Sequence, residues 1–152
     1  MTKLSLVLVL AACGSSTKPA ATPAPAPTAW KDMNLDQRME FMKTEVLPKS
    51  KAIFVAFDEA KYKDMDCATC HGDGAADGSY EMPNPKIKPL PATEEAFMAW
   101  VSKDAEAARY TKMMSEQLVP LMANLLGRKA FDPATHSGDF SCEACHKMAT
   151  EN

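Results

Sequence analysis

The sequence predicts a mainly α-helical protein with long loops, built from two similar halves. Two stretches carry apolar residues at helical spacing, one from Leu35 to Phe57 and one from Phe97 to Leu125. The segments outside them are polar or rich in Gly, Pro, Asn and Asp, which is typical of loops. No stretch alternates apolar and polar residues as a half-buried strand does.

The first helical stretch has a clear start and an interruption. Asn34 is placed to cap the helix, and Gln37, three residues later, can complete a capping box. Pro48 lies inside the stretch, where we expect it to kink the helix. A polar link, residues 58–66, then leads to Cys67.

The second stretch has matching signals. Thr93 is the predicted cap, Pro120 interrupts the pattern, and Gly127 follows its last apolar residue as helix-terminating glycines do. Apolar residues on its predicted face are Phe97, Trp100, Val101, Tyr110, Met114, Leu118, Leu121, Met122 and Leu125.

The two halves align as a degenerate internal repeat. In the first, five residues separate Met42 from Pro48, and a Phe-Asp pair follows before Cys67. In the second, five residues separate Met114 from Pro120, and a Phe-Asp pair again precedes the cysteines. The repeat predicts two units, about 30–90 and 91–152, each with a kinked Met-bearing helix, a link and a short helix that starts at a cysteine.

Each unit ends in the same motif, CATCH at 67–71 and CEACH at 142–146. A thioredoxin-type redox pair would lie beside a βαβ pattern, and neither motif does. A structural zinc site normally has its two CxxC pairs about 15–20 residues apart, whereas 71 residues separate Cys70 from Cys142. Neither chemistry explains a histidine directly after the second cysteine in both motifs.

C-x-x-C-H is the attachment signature of c-type haem, in which the two thiols add to the vinyl groups and the histidine ligates the iron. The motifs therefore predict two haems, attached through Cys67, Cys70, Cys142 and Cys145, with His71 and His146 as proximal ligands. Aromatic residues make up only 7% of the chain, so two haems would also supply apolar surface for the core.

The distal ligands are less determined. A low-spin electron-transfer haem takes a second ligand, usually Met or His, and Met42 and Met114 occupy equivalent places in the repeat. A methionine on an apolar helical face also packs ordinary cores. Met39, Met113 and Met122 remain alternatives, and His136 is either an exposed loop residue or a ligand.

A Met-bearing helix, a link and CxxCH, repeated, resembles the units of the tetrahaem cytochrome subunit of photosynthetic reaction centres. The resemblance covers roughly 30–152 and implies that Met42 and Met114 are sixth ligands and that the haems relay electrons. This chain has two motifs instead of four, longer Met-to-Cys links, and prolines within the helices. We expect a shared unit plan without a photosynthetic role.

The N-terminus predicts export. Residues 1–12 read as a signal peptide, and Leu10-Ala11-Ala12-Cys13 resembles a bacterial lipobox in which Cys13 is lipidated; a plain secretory signal with a stray cysteine is the alternative. Residues 13–29 form a Pro/Ala-rich tether before the dihaem domain, 30–152. We expect the bacterial cell envelope, on the periplasmic side or at the outer membrane.

These features favour an electron carrier that exchanges one electron per haem with other redox proteins, further multihaem cytochromes or a membrane complex. The alternatives are a haem enzyme, such as a peroxidase or small-molecule reductase with an open distal site, and a sensory subunit. A net charge of −3 without a basic stripe argues against nucleic-acid binding.

Overall fold

A computed structural model describes residues 28–149. Residues 1–27 and 150–152 lie outside the described part, so the signal peptide, Cys13 and nearly all of the tether are not described. The described residues form helices and loops, with three isolated β-bridges and no strand. The predicted mainly α class is confirmed.

The helices follow one another in chain order as α1 (Leu35–Phe41), α2 (Leu47–Phe57), α3 (Glu59–Tyr62), α4 (Cys67–His71), α5 (Gly74–Asp77), α6 (Glu94–Lys103), α7 (Ala105–Met113) and α8 (Val119–Leu125). Two π turns, Met42–Val46 and Met114–Leu118, join α1 to α2 and α7 to α8. We call 35–57 the first long helix and 105–125 the second. Short 3₁₀ helices span Trp30–Asp32 and Cys142–Ala144.

The first long helix starts as the sequence predicts. The Gln37 N–H donates to Asn34 Oδ1 at 2.9 Å, and the Asn34 N–H donates to Gln37 Oε1 at 2.9 Å. These two bonds satisfy donors that a helix start otherwise leaves without partners. The predicted capping box is confirmed.

Both interruptions expected at proline are π turns. The Leu47 N–H donates to the Met42 carbonyl, and the Val119 N–H donates to the Met114 carbonyl, five residues back in each case. The wider turn shifts the hydrogen-bond register just before a proline, which has no N–H to donate. Each helix therefore continues through its proline, and the π turn begins in both at the methionine that the repeat singles out.

The second helical stretch is divided at Asp104, a position that the sequence pattern did not predict. Asp104 ends α6 and caps α7, because its carboxylate accepts hydrogen bonds from the Glu106 and Ala107 N–H groups at 2.9 and 3.0 Å. The predicted Thr93 cap is confirmed, with a 3.2 Å bond from the Ala96 N–H.

Gly127 ends the second long helix as predicted. Its φ is +65°, a conformation that glycine adopts without side-chain strain. The Gly127 N–H donates to the Asn124 carbonyl and the Arg128 N–H to the Ala123 carbonyl, which together form a Schellman cap.

The two long helices pack side by side in antiparallel directions. Ser50 Oγ donates to Met122 Sδ at 3.7 Å, and further along the pair the ring of Phe57 lies 4.6 Å from that of Tyr110. Residue numbers thus rise along one helix as they fall along the other.

The core of this helix pair is a cluster of three buried residues, Phe54, Met65 and Met113. Met65 belongs to the link that the sequence suggested was polar, and it is only 5% exposed. The ring of Tyr62, also in the link, packs at a tilt against that of Phe54, with centroids 4.8 Å apart. The link therefore packs on the long helices and carries the chain from the core into α4.

Candidate haem-binding site

The first CxxCH motif is a single capped helical turn, α4. Asp66 caps it through Oδ1, which accepts from the Ala68 and Thr69 N–H groups at 3.0 and 3.3 Å, while Thr69 Oγ1 accepts from the Asp66 N–H. Residues three apart lie on one face of a helix, so this turn directs Cys67 and Cys70 to the same side.

The second motif starts as a 3₁₀ turn, Cys142–Ala144. Ser141 Oγ accepts from the Glu143 N–H at 3.3 Å, and the Cys142 carbonyl accepts from the N–H groups of Cys145 and His146 at 3.1 and 2.9 Å. These bonds fold Cys142 and Cys145 onto one tight turn with the histidine directly after it. Both motifs are therefore local turns held by a polar cap.

All four thiols of the motifs are free. Burial, with a smaller contribution from the neighbouring Cys145 thiol, raises the pKa of Cys70 to about 11. Burial likewise raises the pKa of Cys142 and of Cys145. Redox-active CxxC pairs have lowered thiol pKa values, so the observed direction is the opposite of a thioredoxin-type site.

The pKa effect also places the two motifs near each other, because a thiolate at Cys145 disfavours one at Cys70. Cys70 packs against the Phe54, Met65 and Met113 cluster. The first motif is thus seated on the helix pair, and the second lies beside it.

His71 is half-buried, and burial lowers its pKa, while the backbone at Tyr80 raises it by a smaller amount. Its ring meets the Tyr80 ring edge-on, with centroids 5.4 Å apart. Among the described residues, its buried Nδ1 has no hydrogen-bond partner. The neutral imidazole that this environment favours is the form that ligates metals.

His146 has the geometry expected of a ligating histidine. Its Nδ1 lies 3.0 Å from the carbonyl oxygen of Lys88. A carbonyl can only accept, so Nδ1 carries a proton, and in the neutral ring Nε2 then keeps its lone pair. Metal-ligating histidines commonly donate their other ring N–H to a backbone carbonyl in this way, which orients the ring and raises its basicity.

Asn84 and the residues after it connect to both motifs, and the sequence had not singled them out. Asn84 Nδ2 donates to the Cys70 carbonyl at 3.0 Å. Leu90 forms a parallel bridge with Met148, just after the second motif, through bonds of 3.0 and 2.7 Å to Lys147 and Ala149. These are contacts between residues distant in sequence, and nothing in the local pattern of this loop predicts them.

The candidate distal methionines differ in surroundings. Met42 and Met114 are half-buried, and each begins a π turn. Met114 packs against the same three-residue cluster as Cys70. Met113 is only 3% exposed and is itself part of that cluster, which is the setting of a core methionine.

The remaining alternatives are placed as follows. Met39 is half-buried in α1, and the Met122 sulfur accepts a hydrogen bond from Ser50. His136 is exposed in the loop before the second motif, with its ring 6.3 Å from that of Phe131. Of the two interpretations of His136, an exposed loop residue or a ligand, its position fits the exposed loop residue.

The side chains of the two motifs fit covalent haem. Four free thiols lie in two capped turns, and a histidine follows each turn. Burial favours the neutral form of His71, and the contact of His146 Nδ1 with a carbonyl leaves its Nε2 free. Within residues 28–149, no three His, Cys, Asp or Glu side chains converge as a set of metal ligands. A haem iron takes one histidine from its own motif and needs no such convergence.

Searches against family models, curated proteins and solved structures find no match to this chain. Over the described residues, no helix has the length and apolar character required to cross a bilayer.

Proposed function

We propose that this chain is an exported, lipid-anchored dihaem c-type cytochrome that carries electrons between redox partners outside the cytoplasm. Cys67 and Cys70 would hold one haem, and Cys142 and Cys145 the other. The observation that carries the proposal is the pair of capped CxxCH turns, one of which has its histidine fixed on a backbone carbonyl with Nε2 free.

Each haem would supply an iron that changes between ferrous and ferric forms, one electron at a time. The chain's own part is to fix the proximal ligands. The Lys88 carbonyl orients His146 and strengthens it as a donor, whereas buried Nδ1 of His71 has no such partner among the described residues. Hydrogen bonding and burial of this kind tune the potential of a haem.

Methionine ligation on the distal side would complete two low-spin sites. The π turns support Met42 and Met114, because both begin at these residues and π turns in α-helices are frequent at functional sites. The matching turns also support the proposed repeat of two units, about 30–90 and 91–152.

The membrane would be reached through a lipid on Cys13, with 13–29 as the tether. Such an anchor would let the domain move between membrane-bound donors and acceptors in the bacterial envelope. We also propose that each unit is arranged like the units of the reaction centre tetrahaem cytochrome, without a photosynthetic role.

The test is an optical spectrum of the full chain, purified in detergent from a host that attaches c-type haem. An electron carrier predicts two low-spin haems that show the weak red band of methionine on ferric iron. It also predicts that neither haem binds carbon monoxide or peroxide. A high-spin fraction that binds either ligand would contradict it in favour of a haem enzyme.

A further inference from the structure

The segment from Asn84 to Leu90 runs from one CxxCH motif to the other, and we call it the strap. At its start, Asn84 Nδ2 donates to the carbonyl of Cys70 at 3.0 Å. Four residues later, the carbonyl of Lys88 lies 3.0 Å from His146 Nδ1. Four residues of chain span at most about 14 Å, so the strap limits how far apart the two motifs can lie.

Asn84 is built into this position. It is only 3% exposed, and both ends of its amide are used, because Oδ1 accepts from the Lys86 N–H at 2.9 Å. A buried side-chain amide that is hydrogen-bonded at both ends holds one orientation, since a flipped amide would lose both partners.

Gly72, directly after His71, makes room for Asn84. A Cβ on Gly72 would lie 2.9 Å from Asn84 Nδ2, and its φ is +57°. The backbone at the end of the first motif therefore packs directly against the Asn84 side chain at the start of the strap. An exposed ion pair between Lys86 and Asp73 joins the same two segments.

The far end of the strap is held as firmly. The Leu90 N–H donates to the Lys147 carbonyl at 3.0 Å, and the Ala149 N–H donates to the Leu90 carbonyl at 2.7 Å. These bonds directly follow the Lys88 contact with His146 along both segments, so the strap and the end of the second motif form one hydrogen-bonded unit.

We propose that the strap fixes the two CxxCH motifs against each other so that their haems exchange electrons within the chain, with Asn84 as the positioning residue. This inference rests on the proposed function. In the exchange, an electron leaves the ferrous iron of one haem, which becomes ferric, and reduces the ferric iron of the other.

The test measures the interaction between the two oxidised haems by electron paramagnetic resonance of the full chain. Two reference proteins, Cys67→Ala with Cys70→Ala and Cys142→Ala with Cys145→Ala, each retain one motif. The wild-type spectrum is expected to differ from the sum of the two references, because neighbouring ferric irons couple magnetically.

Asn84→Asp keeps the side-chain volume and the acceptor for Lys86 but removes the donor to Cys70, and Asn84→Ala removes both. Both variants are expected to keep two haems per chain and to lose the difference from the summed references. Asn124→Ala is the matched control, because Asn124 is an exposed asparagine whose described hydrogen bond at the helix end uses only its backbone carbonyl. It should retain the full difference.

A wild-type spectrum equal to the sum of the references would overturn the proposal, as would a full difference in Asn84→Asp and Asn84→Ala. Loss of haem from both Asn84 variants would also overturn it, since Asn84 would then serve folding or attachment instead of positioning. Wild-type protein without haem is a separate result, which refutes the proposed function itself.

Discussion

Met113 and Met114, which are neighbours at the end of α7, allow a packing role of methionine to be distinguished from a ligand role. Met113 is 3% exposed and lies in the core cluster with Phe54 and Met65, whereas Met114 is half-buried and begins the π turn. We predict that Met113→Ala mainly lowers stability and that Met114→Ala mainly changes a haem.

The magnitudes follow from burial. Replacing a buried methionine by alanine costs about 2–5 kcal/mol, so Met113→Ala should cost about 3 kcal/mol. In a domain of about 120 residues, each kcal/mol lowers Tm by about 4 °C, which gives a fall of about 12 °C. Met114 is only partly buried, and its replacement should cost about half as much.

The assay compares thermal unfolding and oxidised optical spectra of the two variants. Met114→Ala should lose the red methionine band of one haem and gain a high-spin fraction. The repeat groups Met114 with Cys142 and Cys145, whereas in the fold Met114 packs on the same cluster as Cys70. The one-motif reference proteins identify which of the two haems is affected. Loss of the band in Met113→Ala but not in Met114→Ala would refute the reasoning.

Three further predictions test other parts of the molecule. Burial and a hydrogen bond with Tyr110 raise the pKa of Tyr62 from 10.0 to about 12; the unfolded chain loses this proton first, so Tm should fall as the pH rises from 10 to 12, and fall less in Tyr62→Phe. Gly138→Ala should lower the free energy of unfolding, measured by chemical denaturation, by about 3 kcal/mol or more, because its φ is +116° and a Cβ would overlap the Ala130 carbonyl. The control Gly78→Ala, at φ +79° in open space, should lower it by about 1 kcal/mol. Equal losses in the two variants would contradict the overlap. Cys13→Ala should release the protein from membranes in cell fractionation, and a variant that stays membrane-bound would exclude the lipid anchor.

Local features of the fold could be predicted because their causes lie within a few residues. The Asn34 capping box, the Thr93 cap and the Gly127 terminus each depend on side chains or backbone angles close in sequence, and all are confirmed. Pro48 and Pro120 pointed to the two places where the regular α-helical pattern changes, although each helix continues through its proline. Its form, a π turn, depends on how the whole helix keeps its hydrogen bonds.

Long-range features could not be predicted in the same way. Met65 lies among charged residues, and its burial follows from how the link packs on the two long helices. Asn84 stands in a loop rich in proline and lysine, and its role follows from its contact with the Cys70 carbonyl, fourteen residues away. The CxxCH motifs are recognisable because both their chemistry and their turn are local, while a distal ligand comes from a distant helix.

The central claim is that each CxxCH motif carries one covalent haem. The most direct measurement is the intact mass of the denatured chain after expression in a host that attaches c-type haem, with the two one-motif reference proteins alongside. The account predicts two haems on the wild type and one on each reference. A wild-type mass without haem, or a reference that keeps two, would contradict it.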